Sequence, residues 1–201
     1  MGIYGVKPAF QRLLRPIEAL LVRAKVHPTV INLAALLFSI AGGFALFYAA
    51  SYPLLLIYIP IMAFVRTALN ALDGMVARDL KVKNQGWGEV LNEFIDRVSD
   101  AAIFFGLALA PYANLRLGGL VVIIVLLNSY LSIVSKAAGG TRQYGGFMGK
   151  ADRMIYLAIA AFAMFVTKNF AIANYLMLFI GAGTALTMVQ RFLSIRRELR
   201  K

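Results

Sequence analysis

Along the chain, apolar residues gather into six long stretches separated by short polar connections. They lie near 29–50, 53–77, 88–111, 117–138, 152–167 and 170–193. Each is about 16–25 residues long, against the roughly 20 needed to cross a hydrocarbon core. Spans of this kind in lipid are helices, because a strand leaves its backbone unsatisfied unless a barrel closes. The pattern predicts an all-α integral membrane protein with six transmembrane helices. The connections are Ser51-Tyr52, LKVKNQGW, YANL, GGTRQYGGFMG and KN, short enough for successive spans to alternate direction.

Ahead of the first span the period changes. Ile3, Val6, Phe10, Leu13, Leu14, Ile17, Leu20 and Leu21 recur at spacings of three and four, with most basic residues off that stripe. This predicts an amphipathic helix lying in the membrane surface over residues 1–26 and bent at Pro16. The six-span domain then occupies 27–201. MGIYGVKPAF has no signal-peptide pattern, and Val6 stands where a myristoylation signal needs Ser or Thr.

Composition agrees with the pattern. The chain of 201 residues is 61% hydrophobic and 15% charged, with a mean hydropathy of +0.75. It has no cysteine and one histidine, which excludes disulfides, thiolate metal sites and histidine clusters. The net charge of +12 suits cytoplasmic loops facing anionic lipid, and no nucleic-acid partner is expected. Seventeen Lys and Arg fall before span one, after spans two and four, and in the tail; Arg116 and Lys168 alone fall in the opposite loops. That bias places both termini, and the connections after spans two and four, in the cytoplasm.

Polar chemistry is concentrated in NALDGMVARDLKVKNQGWGEVLNEFIDRVSD, residues 70–100, which holds six of the nine acidic residues. Helical spacing brings Asn70, Asp73, Ala77 and Arg78 together at the end of span two. It stacks Asn92, Asp96 and Asp100 at the start of span three. Charged groups at membrane depth are costly and tend to mark function. Hard oxygen ligands of this type suit Mg²⁺ or Mn²⁺ rather than zinc or copper. Gly74, Gly86 and Gly88 leave room for a close ligand.

The order Asp73-Gly74-x2-Ala77-Arg78, nine residues, then Gly88-x3-Asn92-x3-Asp96 resembles the D-G-x2-A-R-x8–9-G-x3-D-x3-D signature of the CDP-alcohol phosphotransferases, or CDP-alcohol phosphatidyltransferases. LNALDGMVAR, LNEFIDRVSDAA and GGTRQYGGFMGKADR look like a bacterial branch of that family. The Asp96-to-Asp100 run DRVSD is similar to the branch that uses inositol phosphate.

The resemblance implies attack of an alcohol hydroxyl on the lipid-side phosphate of a CDP-linked lipid such as CDP-diacylglycerol, releasing CMP. It implies one or two Mg²⁺ or Mn²⁺ ions held by Asp73 and Asp96, with Asn70, Asn92 and Asp100 as further ligands. Asp96 would also be the catalytic base. Gly74, Ala77, Arg78 and Gly88 would bind the cytidine nucleotide. The family pattern has Asp where this chain has Asn70 and Asn92, so a dinuclear site loses two negative charges. That departure leaves three alternatives: a single ion, compensation by Glu89, Glu93 or Asp100, or loss of activity. A second register, with Asp96 and Asp100 in the last two acidic positions, puts Asn92 where glycine belongs.

Arg142, Lys150 and Arg153 form a second cluster expected on the same side as the motif, either as positive-inside charge or as a pocket for a phosphorylated acceptor. Asp152 is placed to orient Lys150 or Arg153, and Arg191 is a weaker candidate for the pocket. The small residues at 41–43 and 181–185 suit close packing or a dimer face, and relatives of this type are homodimers. Three classes compete: the transferase, with the lipid as donor or acceptor; a catalytically silent homologue; and a small cation or metabolite transporter. The acids gather at one edge, with no path mapped across the bilayer, which favours the transferase.

Overall fold

The computed structural model describes residues 7–81, 85–143 and 145–200. Ile3, Val6, Lys83, Lys201, part of the LKVKNQGW turn and position 144 of the glycine-rich loop lie outside the described residues. The described chain is all-helical, with seven helices and no strand: α1 (Lys7–Arg23), α2 (Pro28–Tyr48), α3 (Leu55–Asp79), α4 (Gln85–Ala108), α5 (Leu115–Ala137), α6 (Lys150–Thr167) and α7 (Ile172–Glu198). Each apolar stretch of the sequence coincides with one helix from α2 to α7. Helix α1 continues through Pro16 without interruption.

Local signals set the helix ends. Lys25 takes a left-handed conformation (φ 52°), then His27 caps α2 through Nδ1, which accepts from the Thr29 amide at 3.3 Å, with Pro28 at the first helical position. Asn114 caps α5 by accepting from Leu117 N at 3.1 Å. Asn174 of α7 accepts from Asn114 N at 2.7 Å and donates to the Tyr112 carbonyl at 3.2 Å, joining α7 to the start of α5. Burial holds the Tyr112 phenol above its ordinary pKa, and its hydroxyl donates to the Leu46 carbonyl of α2.

Helix packing closes a ring: α3 lies on α2, α2 on α4, α4 on α5, α5 on α7, α7 on α6 and α6 back on α3, with α1 against α3. The core between them holds Leu46, Ile59, Met62, Ile103, Leu107, Leu157, Met164 and Ile180, all fully buried. The α2–α4 contact is the tightest. A Cβ at Gly106 would collide with the Gly43 backbone, and one at Gly43 with the Ala102 carbonyl, so the helices approach to backbone contact.

Outward positions carry Leu37, Phe44, Leu54, Phe64, Leu120, Ile159, Phe162 and Tyr175. A surface so apolar suits hydrocarbon rather than water. Four helices, α2, α3, α5 and α7, are long and apolar enough to cross a membrane. Helix α4 carries Glu89, Glu93, Asp96, Arg97 and Asp100, and α6 carries Lys150, Asp152 and Arg153 in its first turn.

Candidate functional site

The ring encloses a cavity of about 540 Å³, bordered by α1, α3, α4, α5, α6, α7 and the loop before α6. Its polar lining includes Asn70, Asn92, Asp96, Arg97, Asn128, Arg142, Lys150, Arg153 and Arg191. Its apolar flank is formed by Phe10, Pro60, Phe64, Ile155 and Ala158. Neighbouring sequence segments did not reveal this enclosure; it depends on α6 and α7 closing the ring against α3 and α5.

Of the acidic motif, Asn70, Asn92 and Asp96 line the cavity and Asp73 does not. Asn70 and Asp73 share a face of α3, and Asn92 and Asp96 share a face of α4 that meets it. Asp96 is the meeting point: the Lys150 ammonium pairs with its Oδ1, Asn70 Nδ2 donates to the same oxygen at 3.3 Å, and Arg97 lies 3.6 Å from Oδ2. Asp73 is buried, and its carboxylate accepts from the Gly74 amide and from Asn32 of α2.

Asp100 stands apart from that group. It is fully buried and bonded to Arg66 Nη2 at 2.6 Å, with Arg153 Nη2 at 3.6 Å from its other oxygen. Asp100, expected as a further metal ligand, does not line the cavity, and one of its oxygens is bonded to Arg66. Arg66 also reaches the Asp96 carbonyl at 3.4 Å and Met154 Sδ at 3.4 Å. The signal that marks Arg66 in the sequence is a guanidinium inside the apolar stretch 53–77.

The second basic cluster does join the site. Lys150 and Arg153 line the cavity from α6, and Arg142 lines it from the loop while pairing with Glu93 of α4. Arg191 of α7 is buried; its Nε donates to the Gly145 carbonyl at 2.9 Å and its Nη1 to the Asn128 carbonyl at 3.2 Å. Asp152 does not orient its basic neighbours. It accepts from the Gly149 amide at 2.8 Å and caps α6.

The expected nucleotide-binding residues sit elsewhere. Among the described residues, Gly74, Ala77, Arg78 and Gly88 do not line the cavity; they lie along the end of α3 and the start of α4. A Cβ added at Gly74 or Gly88 would meet nothing within 4 Å, so packing within the chain does not require glycine there. Arg78 is exposed.

The donor set does not fit the two-ion group that the resemblance implies. Two of the four motif positions are amides, and Asp96 and Asp73 are already engaged by an ammonium, amides and a backbone N–H. Among the described residues no three His, Cys, Asp or Glu side chains converge as a metal group.

No family model matches the chain. It is 36% identical to the inner membrane protein YnbA of Escherichia coli K12 over 186 residues, 89% of this chain and 92% of that one. It is 30% identical to the phosphatidylinositol phosphate synthase of Streptomyces avermitilis over 200 residues, 94% of this chain and 80% of that one. The Mycobacterium tuberculosis phosphatidylinositol phosphate synthase with CDP-DAG bound has the same fold: TM-score 0.76, 24% identity, 92% of this chain and 94% of that one. Its structure with manganese and citrate aligns with TM-score 0.75 and 24% identity over 90% and 87% of the two chains. Likeness over nearly the whole length settles the family: this chain belongs to the CDP-alcohol phosphatidyltransferases, a family of transferases.

Proposed function

We propose that the protein transfers a phosphatidyl group, or its archaeal-type equivalent, from a CDP-linked lipid to a hydroxyl of a small polar alcohol that itself carries a phosphate, releasing CMP. The observation that carries this reading is Asp96 facing a cavity that also presents Lys150, Arg142, Arg153 and Arg191. One group can take a proton, and the others can hold phosphate oxygens. The names of the relatives point to inositol phosphate as the first acceptor to try.

In this reading the acceptor hydroxyl attacks the phosphorus nearest the lipid. A P–O bond forms, the bond to the bridging oxygen breaks, and CMP leaves with that oxygen. Asp96 accepts the hydroxyl proton. Lys150 and Arg97, both at Asp96, offset negative charge that builds on the phosphate oxygens. Arg153 and Arg191 hold the acceptor phosphate; a planar guanidinium can do so with two hydrogen bonds. Asp100 acts at one remove by holding Arg153. The apolar flank of Phe10, Pro60 and Phe64 suits the lipid chains, and Gly74, Ala77, Arg78 and Gly88 suit the cytidine part. The manganese of the tuberculosis enzyme is not carried to this chain, because the donor set does not fit it.

The surrounding architecture belongs to the same proposal. Helices α2–α7 span the bilayer, and residues 1–26 form a helix on its surface. Both termini and the cavity mouth face the cytoplasm, and the protein is a homodimer in the cytoplasmic membrane. Purified protein given CDP-diacylglycerol and a panel of alcohols that includes inositol phosphate should release CMP. A specific observation favours a second reading, a catalytically silent homologue: Asp96 is already paired with an ammonium, and two motif carboxylates are amides. No CMP with any acceptor, together with no binding of cytidine nucleotide, selects that second reading.

A further inference from the structure

Three features at one point bear on how the cavity manages charge. Asn70 and Asn92 leave the motif with two carboxylates, Asp73 and Asp96. The Lys150 ammonium, from the opposite side of the cavity, rests on Asp96 Oδ1, and the Asn70 amide donates to the same oxygen. The charged lining of the cavity, among the described residues, is Arg66, Arg97, Arg142, Lys150, Arg153 and Arg191 against Asp96, with Asp100 beside Arg66 and Arg153 and Glu93 beside Arg97 and Arg142.

A hard divalent cation requires about six oxygen ligands, several of them anionic, and Mg²⁺ tolerates little departure from an octahedron. Here such an ion would displace an ammonium, take amides in place of two carboxylates and lie among guanidinium groups that repel it. An anion faces the reverse balance. A diphosphate or phosphate meets Lys150 beside Asp96 and guanidinium groups from α4, α6, α7 and the loop before α6 without any metal.

We propose that Lys150 supplies at Asp96 the positive charge that a divalent cation supplies in a four-aspartate site, so that the cavity binds its phosphate-bearing ligand without a metal ion. The exchange is concerted across three positions. Loss of negative charge at Asn70 and Asn92 is matched by one compact cation, whose three donors can serve Asp96 and a phosphate oxygen together. This inference deepens the transferase reading in naming a nucleoside diphosphate as ligand, and it rests on that reading only there. The claim about the metal stands on the donor set.

Two measurements on the full-length protein in detergent test it. In the first, Mn²⁺ is titrated and the free ion is read by electron paramagnetic resonance. The expected result is no Mn²⁺ held more tightly than the millimolar range. The triple variant Asn70→Asp/Asn92→Asp/Lys150→Gln should bind at least one Mn²⁺ about tenfold or more tightly than the unaltered protein. Stoichiometric Mn²⁺ on the unaltered protein, removed by Asp96→Asn, overturns the proposal. So does a triple variant that elutes as a single species yet gains no Mn²⁺.

The second measurement is CDP affinity with EDTA and with Mg²⁺. Equal affinity in the two conditions, with a loss of about tenfold or more in Lys150→Gln, is expected. A requirement for Mg²⁺ overturns the proposal. If CDP binds in neither condition, the transferase reading fails, and the Mn²⁺ titration alone decides the metal question.

Discussion

Arg66 of α3 and Asp100 of α4 form an ion pair at 2.6 Å with both side chains sealed from solvent, at 1% and 0% exposure. Burying two charges is expensive, and further charge and dipole offset it: the Arg153 guanidinium lies 3.6 Å from the second oxygen of Asp100, and Arg66 also donates to the Asp96 carbonyl. The pair joins α3 to α4 and, through Arg153, to α6. It fixes the floor beneath Asp96.

Removal of one member should therefore cost far more than removal of both. Asp100→Ala leaves two guanidinium groups uncompensated and should destabilise the protein by about 3–5 kcal/mol. The double variant Arg66→Met/Asp100→Leu should recover part of that loss. Thermal unfolding in detergent reads both, and equal losses in the two would show that the pair is not coupled.

Asp96→Asn should lower CMP release by about 100- to 10,000-fold, the usual contribution of a positioned base. The variant should keep the elution profile of the unaltered protein, because Asp96 is half-buried and borders the cavity rather than the core. Turnover at the full rate would remove Asp96 from the role of base.

Arg191→Ala should raise the KM for a phosphorylated acceptor by about tenfold or more, as loss of a charge-assisted hydrogen bond implies. The KM for the CDP-linked lipid should change much less. Steady-state kinetics with each substrate varied in turn distinguishes the two; parallel rises would point to disorder of the Gly145 loop that Arg191 holds.

Gly106→Ala forces a methyl group into the Gly43 backbone and should cost about 1–3 kcal/mol by overpacking. Gly119→Ala is the internal contrast. A Cβ there meets nothing within 4 Å, and alanine favours the helix by up to about 1 kcal/mol. Thermal stabilities of the two variants should move in opposite directions.

Periodicity and apolar length made the helices legible. The stretches 117–138 and 152–167 fall within two residues of α5 (Leu115–Ala137) and α6 (Lys150–Thr167). The convergence of Asn70 with Asp96 was legible too, because helical spacing sets each on the face its motif partners share. The pairing of Asp100 with Arg66 was not legible, for a plain reason. The position of Asp100 one turn beyond Asp96 is compatible with either a shared site or a separate ion pair, and only the location of Arg66 on the adjoining helix chooses between them. Asp152 was misassigned, since a carboxylate in the first turn of a helix can serve a neighbouring base or its own helix cap.

What the sequence determined by itself was local and one-dimensional: which segments are apolar enough to be helices in lipid, where the carboxylates and amides lie on each helix, and which family motif they spell. Tertiary structure alone decided which distant charges meet. Lys150 reaches Asp96 across 54 positions, and Arg66 reaches Asp100 across 34. The reason is physical: in an apolar ring a charge is stable only beside its complement. The packing order of six helices, which no local pattern encodes, selects that partner.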